Sequence, residues 1–222
     1  MKILIINPNS DETMTKVIQK TAKAFANNEY SVICKHTPGA PKFIETYEDQ
    51  TIASPGMIQL VRENEEDFDG FIIACHCDPN LDTLKEITKK PVVGIGEASM
   101  KIASMLGHRF SVVSMTKHSI PNKEALIRKY HLLDALASVR SPDETIKYEN
   151  DEAKFLATAK TAINEDLAEV IVLGCSGMTG MDKKLEKELG VPVLDGVICA
   201  LIIITGLIKY KISTSKIRRY KA

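Results

Sequence analysis

Short, unbroken apolar runs alternate along this chain with stretches whose apolar residues recur every three or four positions. The runs are KILII (2–6), YSVICKH (30–36), GFIIAC (70–75), PVVGIG (91–96), RFSVVSM (109–115), LASVR (136–140), EVIVLGC (169–175) and PVLD (192–195). Continuous apolar character is what a strand covered on both faces requires. Helical spacing predicts helices over about 11–27, 81–89, 98–106, 123–130, 151–165 and 183–189, and an apolar one near the C-terminus. The pattern assigns no element between His36 and Gly70. Repeated β-α-β order predicts an α/β fold of mainly parallel sheet with helices on both faces. The strongest apolar run, VICALIIITGLI (197–208), falls short of the ~20 residues a bilayer crossing needs, so it reads as a buried helix.

The second half of the chain repeats the grammar of the first. DFDGFIIACHCDPNLDTLKEITKKPVVGI (67–95) aligns with DLAEVIVLGCSGMTGMDKKLEKELGVPVLDG (166–196), and KILIINPNS (2–10) with RFSVVSMTKHS (109–119). Cys75 then falls opposite Cys175, and Pro91 opposite Pro192. The expectation is two α/β domains, residues 1–97 with 197–222 and residues 98–196, the last helix crossing back to the first. Open α/β sheets bind ligands at the carboxyl ends of their strands. Cys75, Cys175, Asn7, Asn9, Glu97, Ser114 and Thr116 fall at such ends. Two halves facing each other would set two thiols on opposite walls of one cleft.

Composition narrows the partners. Lys plus Arg and Asp plus Glu both number 29, so the net charge is zero. That balance favours neither nucleic acid nor an anionic membrane as partner. The basic tail from Lys209 to Lys221 reads as a solvated end. No secretion signal is visible, and the odd count of five cysteines points to reduced thiols in a cytoplasmic protein.

Chemistry concentrates at the strand ends. Cys75 and Cys175 each precede a turn into a helix, where backbone N–H groups and the helix dipole favour a thiolate. A thiolate on one face of a carbon acid and a thiol on the other suit stereoinversion. The competing reading is two buried structural cysteines. In INPNS (6–10), Asn9 with Glu12 is a plausible capping box, which leaves Asn7 for a neutral polar ligand. GIGEAS (94–99) lacks the third glycine of a dinucleotide loop, and its Glu97 suits a ligand contact or a first-turn helix acid. Ser176 and Gly177 let backbone N–H groups approach a developing enolate. Ser114 and Thr116 mirror Asn7 and Asn9. Cys75, His76, Cys77 and Asp78 are metal-ligand types, but near-adjacent residues converge poorly on one ion and no second pair follows, so no metal site is expected. His76 is then a pocket-lining side chain.

INPNS (6–10), ACHCDPNL (74–81), GIGEA (94–98), LGCSGM (173–178) and DGV (195–197), in this order across almost the whole chain, resemble the hydantoin racemase branch of the Asp/Glu/hydantoin racemase superfamily, with allantoin racemases close by. The resemblance implies two pseudo-symmetric flavodoxin-like or Rossmann-like parallel-sheet domains with the active site in the cleft between them. It implies cofactor-independent inversion at C5 of a hydantoin-type ring by Cys75 and Cys175. It further implies substrate contacts from Asn7, Asn9, His76, Glu97, Ser114, Thr116, Ser176 and Gly177, a small-molecule substrate, and a homo-oligomer. His76 and Cys77 depart from the branch, which usually carries an aromatic and then a small residue there. Two alternatives stay open: an amino-acid racemase or single-thiol decarboxylase or isomerase of the same superfamily, and a non-catalytic two-lobed ligand-binding module.

Overall fold

The computed structural model describes residues 1–221. They form two units by contact, Met1–Ile95 together with the segment from Val197 onward, and Gly96–Gly196. Each unit is built on a four-stranded, wholly parallel sheet.

The first sheet has the order β2-β1-β3-β4, from β1 (Lys2–Asn7), β2 (Ser31–His36), β3 (Gly70–Ile73) and β4 (Val92–Gly94). Ile3 to Ile6 and Phe71 to Ile73 have no solvent exposure, the signature of central strands covered on both faces. Helix α1 (Glu12–Ala26) buries Thr15, Ile18, Ala22 and Ala26, one helical stripe, and ends on left-handed Asn27. Its cap is Asp11, whose carboxylate accepts from Met14 N, and not the expected Asn9. Asn9 Oδ1 instead accepts from Asp11 N at 2.9 Å, which turns the chain into the helix.

A helix that the apolar pattern did not assign, α2 (Tyr47–Asn64), lies between β2 and β3. Thr46 and Asp49 form a reciprocal capping box at its start. Pro55 and Gly56 interrupt its helical signal. Gly56 is required, because a Cβ there would meet Pro38 O and the Thr37 side chain. Helix α3 (Leu81–Ile87) follows the Cys75 turn. The long apolar run near the C-terminus forms α8 (Gly196–Tyr210), whose Ile204 and Ile208 side chains lie against Gly70. Among the described residues no helix is long and apolar enough to cross a membrane.

The second sheet has the order β6-β5-β7-β8, from β5 (Phe110–Val113), β6 (Leu136–Arg140), β7 (Val170–Leu173) and β8 (Val193–Leu194). It is covered on both faces. One core joins Ile171 and Leu173 to Phe155 and Ala159 of α6 (Asp151–Asp166) and to Leu185 of α7 (Asp182–Leu189). The other joins Val170 and Val172 to Met100 and Ala103 of α4 (Ile95–Leu106) and to Leu126 and Ile127 of α5 (Ile120–Lys129). Burying each of the Ile, Leu, Val, Met and Phe side chains among them contributes about 1.5–3 kcal/mol.

The two sheets share a strand order, and their connecting hydrogen bonds match. Ala74 N donates to Ile6 O at 2.8 Å and Gly174 N to Val113 O at 2.8 Å. Phe71 N donates to Pro91 O at 3.0 Å and Ile171 N to Pro192 O at 2.9 Å. The repeat read from the strand pattern is thus a repeat of backbone register.

Candidate active site

The strand-end loops of each unit carry the side chains singled out above. In the first unit β3 ends at Ile73, and the chain turns at Cys75, where Asp78 N donates to Cys75 O at 2.9 Å. Asp78 (φ 45°) and Asn80 (φ 58°) are left-handed, conformations that Asn and Asp tolerate best among side-chain-bearing residues. The carboxyl of Asp78 lies against Gly94 at the end of β4, where any Cβ would collide with it. Asn80 Nδ2 donates to Gln50 O at 3.0 Å, so the unassigned α2 braces the far side of this turn. His76 is buried, while Cys75 and Cys77 are half-buried.

At the end of β1, Asn7 and Asn9 are buried in one polar web. Asn7 Nδ2 donates to Asn9 Oδ1 at 2.6 Å and to Thr15 Oγ1 at 2.9 Å. Thr37 Oγ1 donates to Asn7 O at 2.7 Å. The amide nitrogen of Asn7 therefore fixes the β1–α1 loop. Glu97 sits in the first turn of α4 and not at a strand end, because the helix begins at Ile95 directly out of β4. Its carboxylate pairs with Lys101 Nζ at 2.5 Å, one turn on.

In the second unit β7 ends at Leu173, and Cys175 opens a 3-10 turn over Ser176–Met178. Met178 N donates to Cys175 O at 3.1 Å, the counterpart of the bond from Asp78 N. Gly177 N donates to Cys175 Sγ at 3.3 Å. An N–H aimed at sulfur favours negative charge on it. Ser176 is buried, and Cys175 is half-buried. Gly174 is required by its neighbours, since a Cβ would meet Val113 O, Val112 and the buried Lys123.

One residue outside the predicted set holds this turn. Asp195, at the end of β8, accepts from Thr179 Oγ1 at 2.5 Å and from Gly180 N at 2.8 Å. Asp182 is buried beside it; desolvation, and then the charge of Asp195, push the Asp182 carboxyl above its usual range. The sequence signal for Asp195 was the Asp-Gly-Val stretch, but its partners lie well upstream in the chain. At the end of β5, Ser114 N donates to Arg140 O at 2.7 Å and its hydroxyl shares a 2.5 Å bond with Ser119, which donates to Thr116 O.

All five cysteines are reduced thiols. Burial pushes the Cys34 thiol up to about 12, which suits a structural residue of β2. Among the described residues no group of three or more His, Cys, Asp or Glu is placed to hold a metal ion.

Each unit thus presents one half-buried cysteine at the same register of its sheet, at the carboxyl end of a central strand, with a polar loop on the neighbouring strand end. A thiol so placed is equipped for proton transfer.

Known proteins share this architecture. The chain matches the family described as Asp/Glu/Hydantoin racemase over residues 3–202. A hydantoin racemase from Pseudomonas sp. (strain NS671) is 38% identical over 227 residues, covering 100% of this chain and 91% of that protein. The solved allantoin racemase from Klebsiella pneumoniae superposes with a TM-score of 0.93 at 31% identity, covering 99% of this chain and 92% of that one. The allantoin racemase from Pseudomonas fluorescens gives a TM-score of 0.92 at 33% identity, with coverages of 99% and 96%.

Proposed function

We propose, because this chain belongs to the Asp/Glu/hydantoin racemase family, that it is an isomerase inverting C5 of a small hydantoin-type ring, a 5-substituted hydantoin or allantoin. The observation that carries the reading is the equivalence of Cys75 and Cys175. Each opens the turn after the third strand of its sheet, with the same backbone bond from the residue three positions on.

The chemistry follows from the substrate. The C4 carbonyl of a hydantoin accepts the electron pair left at C5, so the C5–H bond is acidic enough for a thiolate base. In this reading one cysteine, as thiolate, removes the proton, and the C–H pair moves into the carbonyl as an enolate. The other cysteine, as thiol, delivers a proton to the opposite face, and the two roles exchange for the other enantiomer. The donors after Cys175, with Ser176 and Gly177 among them, suit the enolate oxygen. Asn7, Asn9, His76, Glu97, Ser114 and Thr116 belong to the same reading as substrate contacts. No cofactor enters these steps. A cytoplasmic homo-oligomer completes the reading; five reduced thiols agree with the compartment.

The test is one enantiomer of a hydantoin incubated with the protein in D₂O, following loss of the C5 proton by NMR and loss of optical rotation, with the uncatalysed rate subtracted. Racemisation faster than the blank is expected. Cys75→Ser and Cys175→Ser should each lose roughly 10²–10⁴-fold in rate, the usual contribution of a positioned acid or base. Full activity in both serine variants would overturn the two-thiol mechanism, and no racemisation of any hydantoin would overturn the function.

A further inference from the structure

Helix α5 buries Lys123, Leu126 and Ile127, whose spacings of three and four make one stripe. Leu126 and Ile127 join an apolar core, but the stripe opens on a charge. Only 3% of Lys123 is exposed, and it is the only buried lysine or arginine among the described residues. The first helix of the other unit, α1, opens its buried stripe with neutral Thr15. Taking an ammonium out of water costs free energy, which negative charge nearby offsets.

A Cβ on Gly174 would come within 3.2 Å of Lys123 Cε, and the ammonium is one bond beyond Cε. Gly174 follows β7 and directly precedes Cys175. The stem of Lys123 therefore runs to the carboxyl end of β7, and its charge lies beside the backbone that carries the thiol. The other buried charges of this turn are acids. Asp195, from the end of β8, accepts from Thr179 and Gly180, and Asp182, from α7, is buried with it. Glu124, next to Lys123 in α5, is half-buried and adds to the negative side, while Lys117, His118 and Lys183 are exposed and screened by solvent. Left alone, these carboxylates oppose a thiolate at Cys175.

We propose that Lys123 is a positioning residue for the reaction, its ammonium the fixed counter-charge that keeps Cys175 available as a thiolate beside buried acids. The role rests on the racemase reading. The unit of Cys75 holds no buried lysine or arginine among its described residues, so the two thiols of a duplicated site are unequal bases. In a partly desolvated setting a unit charge this near shifts an acid equilibrium by on the order of tenfold.

The experiment follows alkylation of Cys175 by iodoacetamide against pH, read by peptide mass spectrometry, in the native protein, Lys123→Met and Lys123→Arg. The native midpoint should lie at or below the ordinary thiol value of about 8.5 despite the acids. Lys123→Met should raise it by about one unit or more, and Lys123→Arg, which keeps the charge, should stay close to native. Exchange at C5 of a hydantoin in D₂O should fall about tenfold further when Lys123→Met is added to Cys75→Ser, which leaves Cys175 as base, than when it is added to Cys175→Ser. A native midpoint well above 8.5 overturns the proposal without any variant. So does a folded Lys123→Met whose Cys175 midpoint does not move, a Lys123→Arg that shifts as far as Lys123→Met, or equal losses of exchange in the two serine backgrounds. If the native protein exchanges no hydantoin, the racemase reading fails instead, and the alkylation profiles still decide whether Lys123 sets the charge of Cys175.

Discussion

In the first unit Asp78 leaves the cysteine turn, and its carboxyl lies against Gly94 at the end of β4. In the second, Asp195 leaves the end of β8, and its carboxylate reaches back to Thr179 and Gly180 in the cysteine turn. The alignment that pairs Cys75 with Cys175 pairs Asp78 with Met178 and Gly94 with Asp195. Both halves place a carboxylate between the cysteine turn and the fourth strand, but from opposite ends. Where the turn supplies it, the strand end must be glycine. Where the strand supplies it, the turn offers a hydroxyl, an N–H and a left-handed glycine, Gly180 at φ 82°. A duplicated fold can therefore keep a structural tie while losing every identical residue that makes it.

The largest expected effects come from breaking these ties. Asp195→Ala strands the Thr179 hydroxyl and the Gly180 N–H, and should cost about 1–3 kcal/mol of unfolding free energy in a denaturant titration. Gly94→Ala drives a methyl into the Asp78 carboxyl and should cost about 1–3 kcal/mol. The two differ in what relieves them. Asp78→Ala combined with Gly94→Ala should lose less than the sum of the single variants, because the clash has one cause. Strict additivity in that cycle would contradict the contact.

A smaller effect separates two acids of the second unit. The Arg140 guanidinium, 2.5 Å from Asp166 Oδ2 through Nε, holds the Asp166 carboxyl below its usual range. Its folded value is depressed, so its contribution is present at neutral pH and lost as pH falls through the ordinary carboxylate value toward the folded one. Asp166→Asn should flatten that acid limb by about 1 kcal/mol, since solvent reaches both partners. Asp182 runs the other way. Its folded value is raised by burial and by Asp195, so its contribution is present in acid and lost as pH rises through the folded value. Asp182→Asn should leave neutral stability equal or higher by up to about 1 kcal/mol, the smallest change of the set. A loss at neutral pH would show that the charged form is the favoured one.

The strands were legible because central parallel strands are apolar without interruption, as Ile3–Ile6 and Val170–Leu173 are. Helix α2 was not, since Ser54, Pro55 and Gly56 break its periodicity; the usable signal was the Thr46…Asp49 box. The first cap was misplaced by two residues because Asn9 and Asp11 are both good caps, and only the tertiary web around Asn7 commits Asn9 elsewhere. At the candidate site the reactive residue types and their repeat could be read from spacing. The work of Asp195 could not, because its partners lie 15 and 16 residues away in sequence and meet it only in the folded unit.

The central claim is that Cys75 and Cys175 are the two bases of one reaction. It is tested most directly by hydrogen exchange at C5, in D₂O, for each pure hydantoin enantiomer with each serine variant. A variant lacking one base still removes the proton that faces the remaining thiolate. Cys75→Ser and Cys175→Ser should therefore exchange opposite enantiomers, each with little inversion. Exchange of the same enantiomer by both variants, or undiminished racemisation by either, would contradict the account.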